Sequence, residues 1–103
     1  MAAKFKLKPN PTFKADVTIP VPGDEPGIVT FTFKHRPIKE LADLEKVEGK
    51  HISQFLLEIT EGWALPDEFN QENVEILLDN YPRAGEAIMK AYYAELLGNR
   101  EKN

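Results

Sequence analysis

The sequence predicts an α+β fold: an N-terminal antiparallel β-hairpin, or three strands if the arm before it joins, packed against three to four α-helices. Three observations predict it. Residues 13–20, FKADVTIP, and 28–34, IVTFTFK, alternate apolar and polar side chains at period two. Nearly everything after residue 37 carries its apolar residues at helical spacing instead. A lone two-stranded hairpin is not stable in water, so those helices or another protein must cover it.

The 103 residues read as a single domain over 1–103, with an extended arm at 1–12, the hairpin at 13–34, a helical part at 37–98 and a flexible tail at 99–103. In the arm Phe5 and Leu7 alternate with Lys4, Lys6 and Lys8, a pattern that suits a short edge strand, while Pro9 and Pro11 favour extended backbone. In the first strand Phe13, Ala15, Val17 and Ile19 share one face, opposite Lys14, Asp16 and Thr18. In the second, Val29, Phe31 and Phe33 oppose Thr30, Thr32 and Lys34. Such alternation gives a sheet with one dry and one wet side. The connection VPGDEPG, residues 21–27, is too long for a two-residue turn and belongs on the surface.

Pro37 suits the first turn of a first helix, whose stripe is Ile38, Leu41, Ala42 and Val47. Gly49, within Glu48-Gly49-Lys50, supplies its C-cap. A second helix runs over 51–61, with Ile52, Phe55, Leu56 and Ile59 on one face, and Gly62 stops it so that Trp63 turns inward. Residues 64–69, with Pro66, form a linker. Asn70 is the N-cap of a third helix that carries Glu72 in its first turn and Val74, Leu77, Leu78 and Tyr81 along one side. Asn80-Tyr81-Pro82 breaks the chain and restarts it as a last helix over 82–97, with Ala84, Ala87, Ile88, Ala91, Tyr92 and Leu96 facing one way and Gly98 as its cap.

Composition excludes several functions. Hydrophobic residues are 42% and charged residues 29%, which is globular rather than disordered composition. There is no cysteine, hence no disulfide, no thiol nucleophile and no thiolate ligand. No stretch approaches the ~20 apolar residues of a membrane span, and MAAKFKLKPN lacks the apolar run of a signal peptide, so a cytoplasmic protein is expected. Residues 1–39 carry a net +4 and residues 40–103 a net −8. Two such faces allow head-to-tail self-association that salt would weaken. The basic residues are interrupted and no recognition motif accompanies them, which argues against nucleic acid as a partner.

No chemistry is legible. His35 and His51, even with Asp43 or Glu58, show no metal-ligand spacing. Gly23 and Gly27 flank Pro26 in a turn rather than form a phosphate loop, and Ser53, the only serine, lacks a catalytic partner. The chain is read as no enzyme, with no cofactor, no metal site and no catalytic residue. Two sets of residues are candidates for holding a protein partner. One is the hairpin side, Phe31, Phe33, Lys34, His35 and Arg36; the other is the region after the second helix, Trp63, Leu65 and Phe69. Aromatic and arginine side chains are common interface anchors, although each aromatic has core packing as its rival use.

Four segments resemble a known family: FKLKPNPTFKADVTIPVPG at 5–23, VTFTFKHRPIKEL at 29–41, EITEGW at 58–63 and NVEILLDNYPRAGEAIMKAYYAELLGN at 73–99. The run Phe31-Thr32-Phe33-Lys34-His35-Arg36, the Gly62-Trp63 pair and Asn80-Tyr81-Pro82 are the most specific pieces. In this order they resemble the tail assembly chaperones of long-tailed bacteriophages and prophages, over almost the whole chain.

The resemblance implies a non-enzymatic protein of the bacterial host cytoplasm. It would bind the tape measure protein, keep that long helical rod soluble until tail tube subunits polymerise around it, and be absent from the mature virion. It also implies a longer product, made by ribosomal frameshifting, whose extra domain recruits tail tube subunits; this chain would match the short form. Glu101-Lys102-Asn103 permits the codons GAA AAA AAC, an A-rich slippery site for such a shift. The rival reading is a small structural tail component, a tail tube or tail completion protein, that stays in the virion. An apolar groove suits the first role because it can cover the apolar stripe of a rod helix, and many copies on one rod add avidity.

Overall fold

The central strand of a three-stranded antiparallel sheet organises this fold. A computed structural model describes residues 5–47, 49 and 51–98. Lys4 of the arm, Glu48 and Lys50 at the end of the first helix, and the tail 99–103 with Glu101-Lys102-Asn103 lie outside the described residues. The elements in chain order are β1 (Thr12–Ile19), β2 (Gly27–Lys34), α1 (Ile38–Lys46), α2 (Ile52–Ile59), β3 (Thr60–Trp63), α3 (Gln71–Asn80) and α4 (Ala84–Leu96). The sheet order is β1-β2-β3, and the four helices complete an α+β arrangement.

The hairpin pairs in full register, from Thr12 opposite Lys34 to Ile19 opposite Gly27. Phe13 therefore faces Phe33, Ala15 faces Phe31 and Val17 faces Val29, which gathers the dry sides of both strands. Val17, Ile19, Phe31 and Phe33 are buried, whereas Ile28 lies on the wet side.

The third strand differs from the expected one. Residues 5–11 form no strand, and Phe5 and Leu7 are 86% and 93% exposed. The strand beside β2 is β3 instead, in a place where the second helix was expected to continue to Glu61. That helix ends at Ile59, and the chain turns at once along the open edge of β2. Pairing there satisfies backbone groups that a bare edge would leave free. Trp63 stands opposite Phe31, Gly62 opposite Thr32 and Thr60 opposite Phe33, so Glu61 is the extra residue of a β-bulge. Thr60 and Trp63 are three apart and would face opposite ways in a regular pleat. The bulge turns both onto the face that holds Phe31 and Phe33.

The helices close this face. Phe55, Leu56 and Ile59 of α2, Val74 of α3 and Ala84, Ile88 and Tyr92 of α4 are buried in one cluster with the strands. Tyr92 ties helix to sheet. Its ring stacks on Phe13 at 5.6 Å and meets Phe33 edge-on at 5.1 Å, and its hydroxyl donates to the Lys34 carbonyl at 2.9 Å. Gly85 lets the first turn of α2 come close: a Cβ there would stand 2.7 Å from Ile52 Cδ1. The α1 stripe is narrower than expected. Leu41 is buried and Leu44 half-buried, but Ile38 and Val47 are 60% and 53% exposed and Ala42 also faces solvent. Beyond Leu41 and Leu44, a hydrogen bond from the Tyr93 hydroxyl to Glu45 helps hold α1 to the body.

Burial, then the bond and charge of Glu45, push the Tyr93 phenol well above its ordinary value, and burial also raises Tyr92. The folded chain thus keeps protons that the unfolded chain releases near pH 10. The contribution of these two tyrosines to stability should be level below about pH 10 and fall as pH rises beyond it; urea midpoints across pH 9–12 measure this, and Tyr93→Phe should flatten the fall. The Thr60 hydroxyl is buried with no hydrogen-bond partner among the described residues. Thr60→Val should therefore raise stability by about 1 kcal/mol, seen as a higher urea midpoint at unchanged slope.

Candidate functional site

The hairpin candidates prove to be parts of the framework. Phe31 and Phe33 are 1% and 0% exposed, stacked at 5.5 Å, and offer no surface to a partner in this conformation. The Lys34 carbonyl holds the Tyr92 hydroxyl. His35 is half-buried with its ring edge-on to Phe13, and its backbone N–H donates to the Pro11 carbonyl at 2.9 Å. Arg36 spans from the end of the hairpin to the last turn of α2, where Nε and Nη2 both donate to the Glu58 carbonyl at 3.0 and 2.7 Å. A cation there satisfies a terminal carbonyl and complements the helix dipole. The Glu40 and Glu58 carboxylates, 3.5 and 3.7 Å away, flank the same guanidinium.

The second set comes to the surface. Trp63 and Leu65 line an apolar groove of about 410 Å³ between the far end of the hairpin, the linker after β3 and α3. Ile19, Val21 and Val29 contribute from the hairpin, and Ile76, Leu77 and Tyr81 from α3. Phe69 packs behind the wall, edge-on to the Trp63 ring at 5.1 Å, and Phe31 meets the same indole edge-on at 5.9 Å. The structure thus unites Trp63 and Leu65 at one groove, places Phe69 in support, and puts Phe31, Phe33, Lys34, His35 and Arg36 elsewhere.

The linker that shapes this groove is pinned at several points. The Trp63 indole N–H donates to the Asp67 carbonyl at 2.8 Å, which fixes the ring and uses its only polar atom. Asn73 Nδ2 donates to the Glu68 carbonyl at 2.7 Å, and the Asn73 backbone N–H donates to Asn70 Oδ1 at 2.8 Å, the N-cap that starts α3. The backbone N–H of Ala64 donates to the Thr30 carbonyl at 2.9 Å and carries the pairing with β2 one residue past Trp63.

The groove has one sign of charge around it. Asp67 lies in its lining. Glu72 and Asp79 flank the half-exposed Ile76 on the surface of α3. From residue 51 to 82 the chain has seven Asp and Glu and no Lys or Arg. Ile76 was missed by sequence reasoning. Its signal was an apolar residue off the Val74–Leu77–Leu78–Tyr81 stripe, with no place in the core.

A larger groove of about 730 Å³ runs between β1 and α4, but Asp16, Arg83, Glu86 and Lys90 mix both signs of charge there and it has no aromatic wall. Among the described residues no three His, Cys, Asp or Glu side chains gather as a metal site, and no helix is long and apolar enough to cross a membrane.

The family model of the phage tail assembly chaperone matches the chain over residues 1–103, and the chain belongs to that family. This family is not a known class of enzyme, and membership implies protein partners in the phage tail. No curated protein and no solved structure matches the chain.

The two walls of the groove should respond differently to substitution. Trp63→Ala removes packing against both Phe31 and Phe69 and should cost about 3 kcal/mol or more. Ile76→Ser touches a half-exposed position and should change stability by no more than about 0.5 kcal/mol. Urea unfolding of the two variants checks both.

Proposed function

We propose that this tail assembly chaperone binds the tape measure protein through the Trp63 groove and keeps it soluble for tail tube polymerisation. It acts without catalysis, in the cytoplasm of the bacterial host, and leaves before the virion is complete. The observation that carries this reading is the groove itself, an apolar and acid-rimmed surface in a chain that belongs to the family. A tape measure rod is long and amphipathic, and until the tube covers it the apolar stripe drives aggregation. Trp63, Leu65 and Ile76 offer anchors for side chains one helical turn apart, as in helix-in-groove recognition.

The acidic rim selects rod segments whose apolar stripe is flanked by Lys or Arg. Each contact has to be of moderate strength, because tube subunits must displace it; many copies along one rod supply the total affinity. A longer frameshifted product would bring tube subunits to the same rod.

Co-expression with the tape measure protein tests this reading. The rod should be soluble only with this chain, and the two should elute together in size-exclusion chromatography. Ile76→Asp and Leu65→Asp should lose the complex. A rod that is equally soluble alone and elutes apart would contradict the proposal. Recovery of this chain from purified tails would favour a retained structural component instead.

A further inference from the structure

We infer that α1 is a detachable strap: it opens from the body as one unit while the sheet and the other three helices stay folded, and this bares a second apolar surface beside Tyr93. The helix is lightly seated. Seven of its nine residues are exposed, Leu41 is buried and Leu44 is half-buried. By contrast α2 buries Ser53, Phe55, Leu56 and Ile59, and α4 buries Ala84, Gly85, Ile88 and Tyr92. Two polar ties add to the seat of α1. The Tyr93 hydroxyl donates to Glu45, and Arg36 Nη1 lies 3.5 Å from Glu40, whose side chain is 55% exposed. An ion pair so open to water contributes little.

The body is closed without the strap. The chain leaves the end of the hairpin after Arg36 and returns at Ile52, the start of α2, and each end of that excursion is fastened to the body. Arg36 Nε and Nη2 donate to the Glu58 carbonyl at 3.0 and 2.7 Å. Beside it Thr32 pairs with Gly62, and the Lys34 carbonyl accepts from the Tyr92 hydroxyl at 2.9 Å. Ile52 packs where Gly85 leaves room for it. None of these contacts involves α1. Opening therefore breaks the seat of Leu41 and Leu44 and the two polar ties, and it leaves the packing of the sheet against α2, α3 and α4 in place.

The connections permit the motion. Pro37 has extended backbone, with φ −60° and ψ 149°, and Gly49 has φ +77°, in the left-handed region open to glycine. A nine-residue helix off its seat is too short to persist in water, so α1 unwinds as it opens. What it uncovers is the apolar place of Leu41 and Leu44 together with the half-buried Tyr93. That surface lies toward the end of the sheet where Thr12 pairs with Lys34 and Tyr92 bonds the Lys34 carbonyl. The Trp63 groove lies toward the other end, at Ile19 and Gly27. The strap thus works apart from the groove, and it holds or fails apart from the proposed function.

Amide exchange of the native chain at low urea tests this. The α1 amides include that of Leu41, whose N–H donates to the Pro37 carbonyl at 3.1 Å. They should be protected, yet exchange about 100-fold faster than the most protected hairpin amides. Their rates should scarcely change as urea is added, because a small opening exposes little surface, whereas the hairpin rates should climb. One substitution separates a strap from a helix that opens only with the whole fold. Val17→Ala cuts the sheet core toward the end away from α1. It should speed the hairpin amides about tenfold and leave the α1 amides unchanged, since the sheet keeps its packing while the strap is open. Ile19→Val, a milder cut at the same end, should give the same split at about threefold. Exchange of α1 at the hairpin rate, or equal speeding of both sets by either substitution, would overturn the inference. So would α1 amides with no protection, because the strap would then have no closed state.

Discussion

The pairing of four residues, Thr60–Trp63, with the open edge of β2 is the constraint on which the rest of this structure depends. It completes the sheet and ends α2. It also fixes the start of the linker that leads to α3. The bulge at Glu61 decides the outcome, because it points both Thr60 and Trp63 toward the core face. Trp63 then becomes a wall of the groove, with Phe31 and Phe69 both packed edge-on against its indole. The unpartnered Thr60 hydroxyl marks a cost of that turn, since an inward residue at this position need not be polar.

Much of the fold was legible because long elements obey a single period. The hairpin alternation, the burial of Val17, Ile19, Phe31 and Phe33, the Asn70 cap and the stripe of the last helix all follow from spacing. β3 was not legible for two physical reasons. Four residues are too few to show a period, and a bulge replaces alternation by a spacing of three, which imitates the end of a helix. The arm erred in the opposite sense. Its alternation reads as a strand, yet β2 has β1 on one side and β3 on the other, which leaves the arm no place there.

The candidate site divides along the same line. Phe31, Phe33 and Arg36 have the residue types of an interface, but the sheet buries the two aromatics and α2 engages the arginine at its last turn. Trp63 and Leu65 have no stronger signal in the sequence, yet the structure leaves them beside open apolar space. Residue type alone does not separate the two cases; position relative to a covered or an open face does. An acid-rimmed groove on one part of the molecule and a lysine-rich apolar arm on another also give the charge split of the sequence a spatial meaning. On the proposed reading, reversible covering of apolar surface is the task of that groove.

Amide exchange on the free chain tests most directly whether the pairing of β3 with β2 is a stable part of the sheet. The Ala64 amide, bonded to the Thr30 carbonyl, and the single Trp63 indole N–H, bonded to the Asp67 carbonyl, report on the strand and on the groove wall. Both should exchange only with global unfolding, at the rate of the most protected hairpin amides. If the hairpin amides are protected while Ala64 and the Trp63 indole exchange at the rate of an open loop, β3 is not part of the stable sheet and the account of the groove fails.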